Sequence, residues 1–219
     1  MQGNLAVFFF EIGVLTMALP LFGDQQQIEV ANTQRINFAP GGIIRVNESC
    51  GTLNVEGWDR PEVEITVLKS TQKYYEPTER EKEAARLERV RITTERPSDT
   101  ELAISTTKNR GVSVDYEIRV PRNSRLEIHH GTGQVLVSDV TGDIEATAHR
   151  GDILLMLPDT APYSIDAKTK FGIVTSDFAG ATHLRPYLMG ERFTSPGASH
   201  RIYLRMTFGG ITIKGVPAL

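Results

Sequence analysis

The sequence predicts an all-β protein: an elongated, β-solenoid or β-helix-like stack of short strands that each open on a glycine, with one short surface helix near residues 79–89. Three observations lead there. Apolar and polar residues alternate at period two along most of the chain after Gln27, the pattern of strands with one buried face. Gly, Pro, Asn and Asp punctuate nearly every gap between these runs, as tight turns require. A glycine then recurs at nine-residue spacing, at Gly133, Gly142 and Gly151, within GTGQVLVSDVTGDIEATAHRGDILLMLP (131–158). A meandering sandwich with similar strand lengths is the competing fold.

The first segment is apolar from Leu5 to Phe22, interrupted by Glu11 and Thr16, and polar DQQQ follows Gly23. An apolar stretch, a helix-breaking Pro20 and a small residue at a cleavage position fit a signal peptide at residues 1–23, or a retained membrane anchor. The absence of Lys or Arg before Arg35 departs from the usual basic start. Residues 24–219 then form a single domain, and the expected location is exported: periplasm, cell envelope or cell surface.

Alternating runs follow at 28–38 (IEVANTQRINF), 42–49 (GIIRVNES), 52–58 (TLNVEGW) and 62–70 (EVEITVLKS). The helix comes next. Thr78 and Glu81 have capping-box spacing, residues 79–89 are good helix formers, and Glu79–Lys82 and Glu83–Arg86 are close enough to pair. Its apolar face is thin, with Ala84, Ala85 and Leu87. Strands resume as VRITTE (90–95) and ELAIST (101–106) around the turn RPSD, and continue as VSVDYEIRVP (112–121), RLEIHH (125–130) and QVLVSD (134–139).

Aligning GQVLVSDVT, GDIEATAHR and GDILLMLPD on their first glycine places Val135, Ile144 and Ile153 in one inward column and Val137, Ala146 and Leu155 in the next. On this register each nine-residue unit is one strand plus a corner, and neighbouring units stack to bury their apolar faces. Related units stand at 51–58, 171–178 and 209–215.

GTLNVEGWDRPEVEITV (51–67), YEIRVPRNSRLEIHHGTGQVLVSDVTGDIEATAHRGDILL (116–155) and RIYLRMTFGGITIKG (201–215) together resemble the bacterial putative-adhesin domain family. The resemblance covers most of the chain after about residue 30, and Val55, Gly57, Trp58 and Asp59 are its more distinctive positions. It implies an exported, elongated β-solenoid-like body in an envelope context, and no particular reaction.

Composition narrows the function classes. Formal charge is −3, acids and bases are intermixed, and no Lys/Arg block offers a phosphate-tracking surface, which argues against a nucleic-acid partner. The lone Cys50 excludes an intrachain disulfide and a Cys-rich zinc site, and reads as a small buried hydrophobe. Asp143 and Asp152 directly follow their glycines, the wrong offset for a calcium-binding β-roll, and are expected to face water. His129, His130 and His149 fall at corners, but the offsets of His130 and His149 aim them at opposite faces, so no metal or cofactor is expected.

Trp58 reads as cover for the end of the hydrophobic column, with an aromatic platform as the alternative. The favoured function is a non-catalytic, adhesin-like binding or scaffold protein, meeting an envelope protein, a glycan, or copies of itself through β edges. The insertion at 183–201, with Arg185, Tyr187, Arg192 and Phe193, carries the residue types that interfaces favour and is the expected contact region. The alternative is a carbohydrate-active enzyme using Asp143, Glu145 or Asp152, with Asp152 stacked beside Asp143.

Overall fold

A computed structural model describes residues 29–71, 79–107, 111–159, 161–185 and 189–217. The expected leader at 1–23 and the helix-capping Thr78 lie outside them. The strands are β1 (Glu29–Asn37), β2 (Ile43–Trp58), β3 (Glu62–Thr71), β4 (Ile92–Ser98), β5 (Glu101–Thr106), β6 (Val112–Pro121), β7 (Arg125–Ser138), β8 (Ile144–Pro158), β9 (Ser164–Phe171), β10 (Val174–Ser176), β11 (Ala181–Arg185), β12 (Gly190–Ser195) and β13 (Arg201–Val216). Among the described residues one helix, α1 (Arg80–Glu88), interrupts them.

All thirteen strands join one open sheet, with the main path β1-β3-β6-β2-β7-β8-β13-β9-β12-β11. β4 and β5 extend it beside β2, and β10 pairs with β13. The middle of the sheet, β6-β2-β7-β8-β13-β9, is parallel throughout.

The glycine spacing gains its meaning from the register. Gly51, Gly133, Gly151 and Gly209 stand side by side in the middle of β2, β7, β8 and β13. At Gly133 and Gly151 φ is +135° and +123°, a backbone that L residues rarely adopt. A Cβ on Gly151 would lie 1.8 Å from the Gly133 carbonyl oxygen, and one on Gly209 would lie 1.6 Å from that of Gly151. The strands bend there, and the bend switches the buried parity. In β7 the inward residues are Leu126, Ile128 and His130 before the corner, then Val135 and Val137 after it. β8 repeats this with Ile144, Ala146 and Ala148, then Ile153 and Leu155.

The repeat is therefore two nine-residue units long, which corrects the register read from the sequence. Val135 pairs with Ile153, and Ile153 with Ile211, as expected of one column. Ile144 belongs to a different column, between Leu126 and Ile202. Ala146 likewise sits between Ile128 and Leu204 and not beside Val137 and Leu155. Gly142 is a glycine of another kind: it lies in the turn before β8, where a Cβ would meet the Ser124 carbonyl oxygen at 2.1 Å. Both arms of each bent strand feed one hydrophobic core that runs through the stack.

Two strands enter this stack out of sequence order. β2 lies between β6 and β7, and β13 lies between β8 and β9. Strands from the early and the last parts of the chain are thus bonded on both sides in the interior of the sheet. Peeling either away breaks two ladders at once.

The helix forms as expected, although its N-cap is Glu79, whose side chain makes no capping hydrogen bond. Arg86 pairs with Glu83 at 3.3 Å. Leu87 is fully buried and Val90, just past the helix, nearly so, while Ala85 faces out. α1 packs beside β3, and Lys69 of β3 donates from Nζ to the Val90 carbonyl at 2.7 Å.

The register has a direct test. Ile153 is 1% exposed, whereas its neighbour Leu154 faces outward and is half-buried. An unpaired carboxylate in the core costs several kcal/mol against a total stability of about 5–15 kcal/mol. Ile153→Asp should abolish the cooperative unfolding transition followed by circular dichroism, and Leu154→Asp should retain it. A folded Ile153→Asp protein contradicts the register.

Candidate functional site

The expected contact region is a hairpin, β11–β12, at the end of the main sheet path. Arg185 ends β11, and Tyr187 lies outside the described residues. Phe193 turns into the core at 4% exposure, and a Cβ on Gly180 would approach its ring to 2.4 Å. Its ring thus supports the hairpin from within and is not offered to a partner. Arg192 faces out and makes a two-pronged pair with Asp166, Nε to Oδ1 at 3.1 Å and Nη2 to Oδ2 at 2.9 Å.

Asp166 also accepts from Arg205, at 2.9 Å to Nη2, and the Arg205 guanidinium lies 3.7 Å from the Tyr203 ring centroid. Burial acts to raise the pKa of Asp166, but the hydrogen bonds and charges of Arg192 and Arg205 outweigh it and hold the carboxyl below its ordinary range. A comparable set stands on β1, β3 and β6. Arg35 donates to Glu64 at 2.6 Å and Arg119 donates to it at 3.2 Å. The Arg35 hydrogen bond is the main cause that lowers the Glu64 pKa. These arginines are committed to strand-to-strand pairs.

The aspartates of the repeat also have structural work. Asp143 Oδ1 accepts from the Arg201 amide and Asp152 Oδ1 from the Gly210 amide, both at 2.9 Å. Both lie on the outward side, as expected, and each carboxylate also fastens β13 to β8. The register separates them as well: Asp152 stands beside Gln134 and Gly210, while Asp143 precedes the other arm of β8. Asp152 is not stacked beside Asp143, and the carboxylate pair that a sugar-cleaving site requires is not assembled from these two.

Sequence reasoning missed a fully enclosed polar contact. His130 and Glu48 are register partners on β7 and β2, and both side chains are completely buried. His130 Nδ1 lies 2.6 Å from Glu48 Oε2, outside the angular range of a hydrogen bond, and Nε2 has no partner. Glu48 Oε1 accepts from the Cys50 amide. Nearby, Tyr116 shares a 2.6 Å hydrogen bond with Thr106, and burial pushes its hydroxyl up to about 12. His130 is thus a core residue and not an exposed corner histidine. His149 faces outward, so the opposite facing of the two is as expected.

Among the described residues no group of three His, Cys, Asp or Glu side chains could hold a metal ion. Cys50 is half-buried at its corner and not in the core. Trp58 is half-buried: Nε1 donates to the Glu62 carbonyl at 2.8 Å, and Arg60 stands over its ring at 5.1 Å. A cavity of about 460 Å³ opens between Ala161–Tyr163, Phe178–Gly180 and Ser195–Gly197, with apolar walls. No described helix is long and apolar enough to cross a membrane.

These features define a bent-strand, open β-sheet body in which Glu64, Asp143, Asp152 and Asp166 hold strands together. No protein-family model matches the sequence, and no curated protein matches it. The chain is similar in structure to a putative cell adhesion protein from Clostridium sporogenes ATCC 15579, with 16% identity, a TM-score of 0.52, and coverage of 87% of this chain and 100% of that one. Fainter likenesses reach a putative adhesin from Parabacteroides distasonis ATCC 8503 (11% identity, TM-score 0.25, 84% of this chain and 65% of that one) and another from Bacteroides fragilis NCTC 9343 (11%, 0.25, 85% and 97%). The Clostridium likeness establishes a shared fold, in line with the resemblance read from the sequence; the fainter two carry no argument.

The lowered carboxyl pKa values set a pH dependence. Unfolding restores the ordinary value near 4, so the unfolded chain takes up the proton first as pH falls. The stability that Glu64 and Asp166 contribute is therefore complete above about pH 5 and lost as pH falls through their folded pKa values. Glu64→Gln with Asp166→Asn should flatten the fall of unfolding free energy below about pH 5 relative to wild type. An unchanged acid limb in urea titrations would contradict the assignment.

Proposed function

We propose that the chain is a non-catalytic, adhesin-like binding or scaffold domain of the cell envelope, exported through its N-terminal segment, 1–23. The bent strands are proposed to be turns of a solenoid, each stacking on the next through its glycine corner. The observation that carries this reading is the use made of the outward polar groups. Asp143, Asp152, Asp166 and Glu64 each hold one strand to another. They make a rigid surface and leave no clustered acid–base or nucleophilic set among them.

The fold shared with a protein described as a cell adhesion protein supports the same reading. Envelope proteins, glycans and further copies of the chain are the partner classes it proposes, with the segment 183–201, which includes the β11–β12 hairpin, as the contact region.

Incubation of the purified protein with a panel of cell-wall and capsular polysaccharides, scored for retention and for new reducing or unsaturated ends, tests this function. Retention without product, or neither with association to a protein, agrees with the proposal. Product formation that disappears in Asp152→Asn overturns it in favour of an enzyme.

A further inference from the structure

The outward side chains change character along the line of corners. Immediately before the corner glycines stand Cys50, Thr132, Arg150, Phe208 and Phe171, side by side on β2, β7, β8, β13 and β9. The line is small at β2 and β7 and aromatic at β13 and β9. Among the described residues, three of the exposed large apolar side chains meet at this aromatic end: Phe208, Ile173 and Met189, exposed by 39, 62 and 84%. Phe208 stacks on Phe171 at 4.9 Å between centroids, and Ile173 follows Phe171 across the Gly172 corner. The Gly172 amide donates to the Met189 carbonyl at 3.1 Å, which sets Met189 beside both.

Cations border this ridge. The Arg150 guanidinium lies 5.8 Å from the Phe208 ring centroid, and the exposed Lys170 directly precedes Phe171. Farther from the corner, Arg205, Lys168 and Arg192 stand in one row across β13, β9 and β12. Like charges directly opposite one another destabilise a sheet, and Asp166 offsets only part of this row, by pairing with Arg192 and Arg205. The other acids near the corner are engaged by backbone amides, Asp152 by Gly210 and Glu191 by Val174. A chain of net charge −3 thus gathers positive charge beside exposed apolar side chains. An arrangement that costs stability without return inside the fold belongs to a functional surface.

We propose that this corner docks on the surface of an anionic phospholipid membrane. Phe208, Ile173 and Met189 enter the acyl boundary, and Arg150, Lys168 and Lys170 meet the phosphate headgroups. The shape suits this occupant. Both arms of the bent strands face one core, so the core lies inside the bend and these side chains stand on its convex side. The backbone suits it as well, because an apolar layer penalises unpaired amides. Here the Gly172 and Ile211 amides donate to the Met189 and Ile173 carbonyls, and Glu191 takes the Val174 amide.

Ring geometry decides between a lipid surface and a glycan. Phe171 lies against one face of the Phe208 ring at an interplanar angle of 6°, and Arg150 stands over the ring from the strand on the other side. Ring edges therefore point outward. A sugar stacks on an open aromatic face, whereas an acyl chain needs only apolar surface.

Co-sedimentation of the full chain with phosphatidylcholine vesicles, with and without phosphatidylglycerol, tests this. Binding is expected to rise with phosphatidylglycerol and to fall by about tenfold with Lys170→Glu. Ile173→Ser combined with Phe208→Ser should weaken it similarly, and Ile173→Ser alone replaces the pair if that variant fails to fold. Lys214→Glu, the same charge change on β13 away from the corner, should leave binding unchanged. Tryptophan introduced by Ile173→Trp reports the contact itself: brominated lipid should quench its emission and spare Trp58 of the parent chain. Binding indifferent to lipid charge and to the corner variants, as attachment through residues 1–23 alone gives, overturns the proposal, and so does an unquenched Ile173→Trp signal. Retention on an acidic polysaccharide without vesicle binding overturns the membrane contact and leaves the adhesin-like reading in place.

Discussion

One steric constraint organises this molecule: at the corner of each bent strand, the carbonyl oxygen of one glycine occupies the space where a side chain on the next would begin. The contact recurs from Gly51 to Gly133, Gly151 and Gly209. It allows parallel strands to bend at the same height while keeping their ladders in register. The bend in turn moves the inward set from even to odd positions, so residues on both arms share one core. Without the corner, a strand of fourteen to sixteen residues would keep one parity and bury only one arm correctly.

The insertion of β2 and β13 adds a second constraint. Each carries a corner glycine in register with the stack, so each is specified by the same geometry as the strands it separates. The β2–β7 seam also holds the Glu48–His130 contact inside the core. Such a pair is costly to desolvate, and removing one partner alone leaves the other uncompensated. It makes this seam sensitive to the choice of neighbouring strand: Ala148 and Met206 occupy the same corner column on β8 and β13 and would give Glu48 no such partner. Pairing β2 so far along the sequence also raises contact order, which favours slow folding.

Much of the fold was legible because alternation and turn residues are local signals. The strands from β1 to β8, β13 and α1 follow from them, whereas β9, β11 and β12 are not among the runs that alternation picks out. The register was not legible, for a specific reason. Gly133, Gly142 and Gly151 precede similar alternating runs, so nine and eighteen residues describe the same string equally well. Only pairing distinguishes a mid-strand corner at Gly133 and Gly151 from a turn at Gly142. Glu48 and His130 were hidden for the same reason, since nothing local marks two residues so far apart as neighbours. In the contact region, residue type marked the segment but neither its hairpin nor its outward side chains: Phe193 is drawn inward by the core, while Leu184 and Met189 remain outside.

The most direct measurement of the central claim compares two glycines of one strand by equilibrium unfolding in urea. Gly209 has φ +134° and no room for a Cβ, whereas a Cβ on Gly215 would make ordinary contacts of 3.5 Å and 3.8 Å. If the corner contact organises the stack, Gly209→Ala loses most of the wild-type stability of about 5–15 kcal/mol or fails to fold, and Gly215→Ala changes it by no more than about 1 kcal/mol. Equal, small effects at the two positions would contradict the account.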